Sequence, residues 1–144
     1  WYCRSKINDN IYRWTGKYRS LIRWSLLYNL IGEKSKVTEA LVEEVQRAML
    51  EPDAGKPFIS FQRSEITKTG LKTDLYSRLG NISMPTLLVH GSKDKMVPLK
   101  DAVAASKIIP NCQLYIKEGC KHWPQKERPE EFAKVVGDFI KHCY

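Results

Sequence analysis

Two residues in the C-terminal half have the types and surroundings that acid–base chemistry needs. Asp94 stands in "VHGSKDKMVP" (Val89 to Pro98), and His122 in "EGCKHWPQKERPEEF" (Glu118 to Phe132). An aspartate that accepts the Nδ1–H of a histidine fixes the imidazole tautomer and leaves Nε2 free as a base near neutral pH. The same pair can equally be a structural ion pair, and spacing alone does not choose between the two. Cys120, two residues before His122, is a nucleophile by type, but a cysteine so close on a short loop seldom points at its neighbour's ring. With Cys3, Cys112 and Cys143 it forms no CxxC pair and no Cys/His metal spacing, so neither a metal nor another cofactor is expected. His90, at the end of an apolar run, reads as packed. His142, near the end of the last helical segment, reads as a cation suited to the helix dipole.

The elements that would position Asp94 and His122 are legible from Pro85 onward. Thr86-Leu87-Leu88-Val89 is a short apolar run bounded by Pro and Gly, the pattern of a strand buried on both faces. A helix is predicted over 100–109, stopping before Pro110, and a second strand over 113–116. Pro129 then opens a helix whose first turn carries Glu130 and Glu131. Its apolar stripe is Phe132, Val135, Val136, Phe139 and Ile140. Strand, helix, strand, helix is a βαβ unit with a trailing helix, so the two strands are expected to be parallel neighbours. Groups that act in open parallel sheets gather beyond the carboxyl ends of the strands. The loops at 91–96 and 118–126 both leave that edge, and neighbouring strands lie ~4.8 Å apart.

The first eighty residues read differently, as helices. Leu21, Trp24, Tyr28 and Ile31 recur at helical spacing, with Gly32 as a stop. Thr38 can cap a second helix with Leu41, Val45, Ala48 and Met49 on one face, and Pro57 can begin a third carrying Phe58 and Phe61. Such aromatic-rich helices form either plain core or a cap over a substrate pocket.

Taken together, "MPTLLVHGSKDKMVP" and "IPNCQLYIKEGCKHWPQKERPEEFAKVVGDFI" strongly resemble the C-terminal segment of α/β-hydrolase-fold enzymes. In that family the acid of the catalytic triad follows a late strand in an HGxxDxxVP-like context. The histidine follows the next strand and precedes the final helix, which often begins E-x-P-E-x-F. The resemblance puts Asp94 on the acid and His122 on the histidine, over a match from about Ile82 to Ile140. It implies a helical lid over residues 1–80 and a C-terminal α/β-hydrolase core segment over 81–144, with Trp24 and Tyr28 as substrate-binding residues; Trp123, beside His122, either joins them as a pocket wall or is ordinary packing.

Two departures qualify the resemblance. The family's nucleophile sits on a G-x-S-x-G elbow upstream of the lid, and no such elbow occurs among the 144 residues. Gly80-Asn81-Ile82-Ser83-Met84 comes nearest, but Met84 replaces the second glycine and the segment precedes a strand. The family also usually has glycine before the histidine, where this chain has Lys121, a cation expected to oppose protonation of His122. Two strands do not make the expected sheet. The first residue, Trp1, is not Met. The expectation is therefore an incomplete α/β-hydrolase sheet, completed by a missing N-terminal part or another chain, and inactive by itself.

The implied function is hydrolysis of an ester, amide or related small apolar substrate in the intact protein. The alternative is a non-catalytic ligand-binding or interaction protein on the same fold. Net charge is +8, from 24 Lys and Arg against 16 acids, but the basic residues are scattered and no nucleic-acid motif is present. No apolar run reaches the ~18 residues of a membrane span. With no secretory pattern, a cytoplasmic protein with reduced thiols, a small-molecule substrate and no nucleic-acid or membrane partner is expected.

Overall fold

Parallel strands need a crossover, and this chain supplies one in its C-terminal half. The computed structural model describes residues 7–143, so Cys3 lies outside it. Strand β3 (Thr86–Gly91) pairs in parallel with β4 (Cys112–Lys117), in a register that sets Thr86 opposite Cys112 and Gly91 opposite Lys117. Between them runs α5 (Leu99–Ile108), which packs against both strands. A single-turn α6 (Pro124–Glu127) and the long α7 (Pro129–Cys143) complete the segment. On one sheet face, Lys117 Nζ donates to Glu131 of α7 at 2.7 Å, and the Tyr115 hydroxyl bonds the same carboxylate. These contacts fix α7 across β4.

The N-terminal half is helical. It comprises α1 (Ile7–Gly16), α2 (Arg19–Ser25), α3 (Glu39–Leu50) and α4 (Lys56–Glu65), with a small antiparallel hairpin of β1 (Ile66–Thr67) and β2 (Gly70–Leu71). Thr38 caps α3 as expected, its hydroxyl accepting Leu41 N–H at 3.2 Å. The hairpin was not expected. Its turn is held by local threonine chemistry, with Thr67 Oγ1 donating to Gly70 O at 2.7 Å, and hydrogen bonds of this kind carry no hydrophobic period.

The helical stripe expected through Leu21, Trp24, Tyr28 and Ile31 is out of phase. Ile22, Leu26 and Ile31 are the buried residues, whereas Trp24 is 61% and Tyr28 51% exposed. After α2 the backbone continues as a π-helical turn over Leu26–Leu30, closed by Ile31 N–H to Leu26 O at 2.8 Å. An i→i+5 bond adds a residue to the turn, so Leu26 and Ile31 come into line where a 3.6-residue period would separate them. The faces of α3 and α4 shift by less. Val42 and Ile59 are buried, while Ala48, Phe58 and Phe61 are exposed.

Contacts divide the chain into two compact units. One holds the residues up to Trp24 together with Thr38–Asp74, and the other holds Ser25–Val37 together with Leu75 onward. The turn and loop over 25–37, read from sequence as part of a lid, thus cluster with the α/β segment. The βαβα order with parallel strands, preceded by helices, is as the sequence led us to expect.

Candidate active site

Both candidate residues lie where a parallel sheet would place them, just past the carboxyl ends of β3 and β4. Asp94 follows β3 in a tight turn closed by Asp94 N–H to Gly91 O at 3.2 Å. Its side chain is 3% exposed. Oδ1 accepts the backbone N–H groups of Met96 at 2.8 Å and Val97 at 3.0 Å. Oδ2 accepts from His122 Nδ1 at 2.8 Å. Burial works against ionisation of Asp94, but the Val97 N–H, the His122 ring and the Met96 N–H outweigh it and hold its carboxyl below the usual range.

Because a carboxylate only accepts, the hydrogen of the His122–Asp94 bond sits on Nδ1. That leaves Nε2 as the basic nitrogen, on a side chain one-third exposed. The imidazole borders an open hollow of about 600 Å³ that is otherwise mainly apolar, with Leu87, Val89, Phe132 and Val136 among its walls. His90, read from sequence as packed, is also near Asp94. Its Nε2 donates to Val97 O at 3.0 Å and lies 3.6 Å from Asp94 Oδ2, so it braces the turn that presents the carboxylate.

The two loops touch through backbone. A Cβ placed on Gly91 would lie 2.0 Å from Lys121 O and 2.5 Å from Cys120 O, so only glycine lets the end of β3 meet the loop carrying His122. Gly119 N–H donates to Ser92 Oγ at 2.9 Å and Lys93 N–H to Cys120 O at 2.9 Å, which seals the contact. Cys120 itself is buried, and burial, followed by the Glu127 carboxylate, pushes its thiol up to about 11. A thiol so placed stays protonated and is a poor nucleophile.

The loop has a second anchor that sequence reading missed. Glu127 is 1% exposed, yet its carboxylate is satisfied by backbone donors, from Gly32 at 2.9 Å and Glu33 at 2.8 Å, with Lys121 N–H at 3.5 Å. Without such donors, burying a carboxylate would cost several kcal/mol. Its only sequence signal was its place in the E-x-P-E-x-F pattern. The Lys121 ammonium donates to Leu27 O, and to Tyr28 O at 3.3 Å, at the end of the π-helical turn. The side chain at the family's usual glycine position therefore caps a helix end.

The three expected substrate-binding aromatics differ in their surroundings within their own units. Trp24 is exposed at the end of the first unit's N-terminal segment. Tyr28 is exposed in the second unit, with Lys95 Nζ 4.9 Å from its ring centroid. Trp123 is half-buried and is tied through its backbone N–H to Leu30 O at 3.0 Å. Neither Tyr28 nor Trp123 is among the walls of the hollow beside His122. Among the described residues no group of side chains could hold a metal ion, and no helix is long and apolar enough to cross a membrane.

Residues 1–129 match the profile of the alpha/beta hydrolase fold family. The chain belongs to that family. Over 69 residues it is 41% identical to a Pseudomonas putida protein named 2-hydroxy-6-oxononadienedioate/2-hydroxy-6-oxononatrienedioate hydrolase 2, covering 48% of this chain and 24% of that one. Over 91 residues it is 31% identical to the human monoacylglycerol lipase ABHD6, covering 61% and 27% respectively. Among solved structures, a serine hydrolase involved in carbazole degradation superposes with a TM-score of 0.75 at 24% identity, over 86% of this chain and 47% of that one. A meta-cleavage product hydrolase from Pseudomonas fluorescens IP01 gives 0.71 at 23%, over 93% and 51%. These superpositions establish the α/β-hydrolase fold. The matched stretches cover about a quarter to a little over a third of the length of the curated relatives.

Proposed function

We propose that this alpha/beta hydrolase chain supplies the acid and the base of a hydrolytic triad, with Asp94 orienting His122. The observation that carries the reading is the 2.8 Å bond from His122 Nδ1 to a buried, doubly backbone-anchored carboxylate. Nε2 is then poised to take a proton from a nucleophile and later to deprotonate water. No nucleophile elbow occurs among these residues, so the nucleophile and the oxyanion donors come from sequence outside them or from another chain.

For the substrate, the relatives favour a small acyl or oxo compound over a polymer. The 2-hydroxy-6-oxo dienedioate for which the 41%-identical relative is named carries no ester or amide. Hydrolysis of such a compound must split a carbon–carbon bond beside its ketone. The lipase-named relative supports the ester chemistry expected from sequence. We favour the ketone, because two relatives at 41% identity carry that name.

The test joins the segment to its nucleophile-bearing sequence and replaces His122 by Ala. Turnover of a 6-oxo dienoate and of a short-chain aryl ester should fall by at least about 10³-fold, as when a triad member is removed. Unchanged turnover of both would end the reading, and the ratio of the two rates in the parent protein identifies the bond.

A further inference from the structure

His122 lies in no helix or strand, so something outside regular structure must hold its ring on Asp94. The residues on either side of it are tied to one short segment of the same unit. Lys121 donates its ammonium to Leu27 and Tyr28 carbonyls, and Trp123 donates its N–H to Leu30 O at 3.0 Å. That segment is in turn gripped by Glu127, which takes the N–H groups of Gly32 and Glu33 and reaches the N–H of Lys121. The approach is close. A Cβ on Gly32 would lie 2.2 Å from Gly119 O and 3.1 Å from Glu127 Oε1. One buried carboxylate therefore bonds both the 25–37 segment and the histidine loop.

We propose that Glu127 is a positioning residue for His122, acting through residues 27–33, and that it couples the aim of the imidazole to the π-helical turn that carries Tyr28. The carboxylate suits the task because it faces three backbone N–H groups and the Cys120 thiol, all donors that only an acceptor can satisfy. An amide in its place would point a donor at one of them. Besides the Lys121 and Trp123 bonds, the part-exposed Arg128–Glu33 pair at 2.6 Å also ties the 25–37 segment to this region. A ligand that moved the turn at Tyr28 would shift Lys121 and Trp123 together, and with them the base between them.

The inference rests on reading His122 as the base, but its test needs no turnover. In the 144-residue chain, the Nδ1 proton of His122 bonded to Asp94 gives a downfield proton resonance whose exchange with water can be timed. Glu127→Gln should speed that exchange at least about tenfold, by local opening, while far-UV circular dichroism stays that of the parent. Glu33→Gln, which removes only the exposed ion pair between the same segments, should leave it unchanged. Exchange as slow in folded Glu127→Gln as in the parent overturns the proposal, and so does acceleration of equal size in Glu33→Gln. If Glu127→Gln does not fold, Lys121→Met decides, since it removes the ammonium clamp and keeps the aliphatic stem. Faster His122 exchange in that variant supports the coupling, and unchanged exchange refutes it. Failure here leaves the His122→Ala turnover test standing, and failure of that test leaves the exchange result intact.

Discussion

Gly91→Ala probes the contact that makes the site, and its consequence can be worked from distances. The added methyl carbon would lie 2.0 Å from Lys121 O and 2.5 Å from Cys120 O, against an ordinary contact that begins at 3.4 Å. Neither atom is the end of a flexible side chain. The 120–121 backbone, one residue from His122, must retreat by about 1.4 Å to clear the nearer clash. That distance is enough to break the 2.8 Å Asp94–His122 bond along its length. Overpacking of this kind costs about 1–3 kcal/mol. For a chain of this size that corresponds to a fall in Tm of roughly 3–10 °C. Thermal unfolding by circular dichroism reads it directly. Gly80→Ala is the control, because a Cβ there meets nothing within 4 Å. If Gly91→Ala melts within about 1 °C of the parent, the two loops do not meet as described.

Two further outcomes follow from titrating groups. Cys120, with its thiol pushed from 9.0 to about 11, should be alkylated by iodoacetamide at neutral pH at least about 100-fold more slowly than an ordinary thiol. Site-resolved mass spectrometry would show it, and labelling of Cys120 at the rate of the unfolded chain contradicts the burial. Asp94 has a folded pKa below its unfolded value of about 3.9. Its stabilisation is therefore complete above the unfolded value and disappears as pH falls through the folded one. In urea titrations, the stability gap between the parent and Asp94→Asn should be constant near neutrality and shrink below about pH 4. A gap that stays constant into strong acid would mean Asp94 gains nothing from its partners.

Much of the α/β half was legible because its signals are of the kinds sequence carries well. β3 and β4 announce themselves as short apolar runs between Pro, Gly and polar residues. The acidic first turn marks the start of α7, and its i, i+3, i+4 stripe is half-buried except for Ile140, which is 51% exposed. Parallel pairing followed from their order, and with it the meeting of Asp94 and His122. What stayed hidden depends on backbone detail. The i→i+5 bond at Ile31 rephased Ile22, Leu26 and Ile31 against a period that assumes 3.6 residues per turn. The hairpin at 66–71 rests on threonine hydroxyls, and nothing local in the sequence marks Glu127 as buried, because its N–H donors come from residues 32 and 33, nearly a hundred positions away. Lys121 read as a disturbance of His122, whereas its ammonium is occupied by the carbonyls of Leu27 and Tyr28.

Bonded to Asp94, His122 is expected to carry its proton on Nδ1 and to leave Nε2 bare. Nitrogen-15 NMR of the imidazole at about pH 8, above the ordinary histidine range, measures this without any substrate. His122 should show a pyrrole-type Nδ1 coupled to a slowly exchanging proton and a pyridine-type Nε2, with Asp94→Asn abolishing the preference. A predominant Nε2–H tautomer, or a fast-exchanging average that Asp94→Asn leaves unchanged, would contradict it.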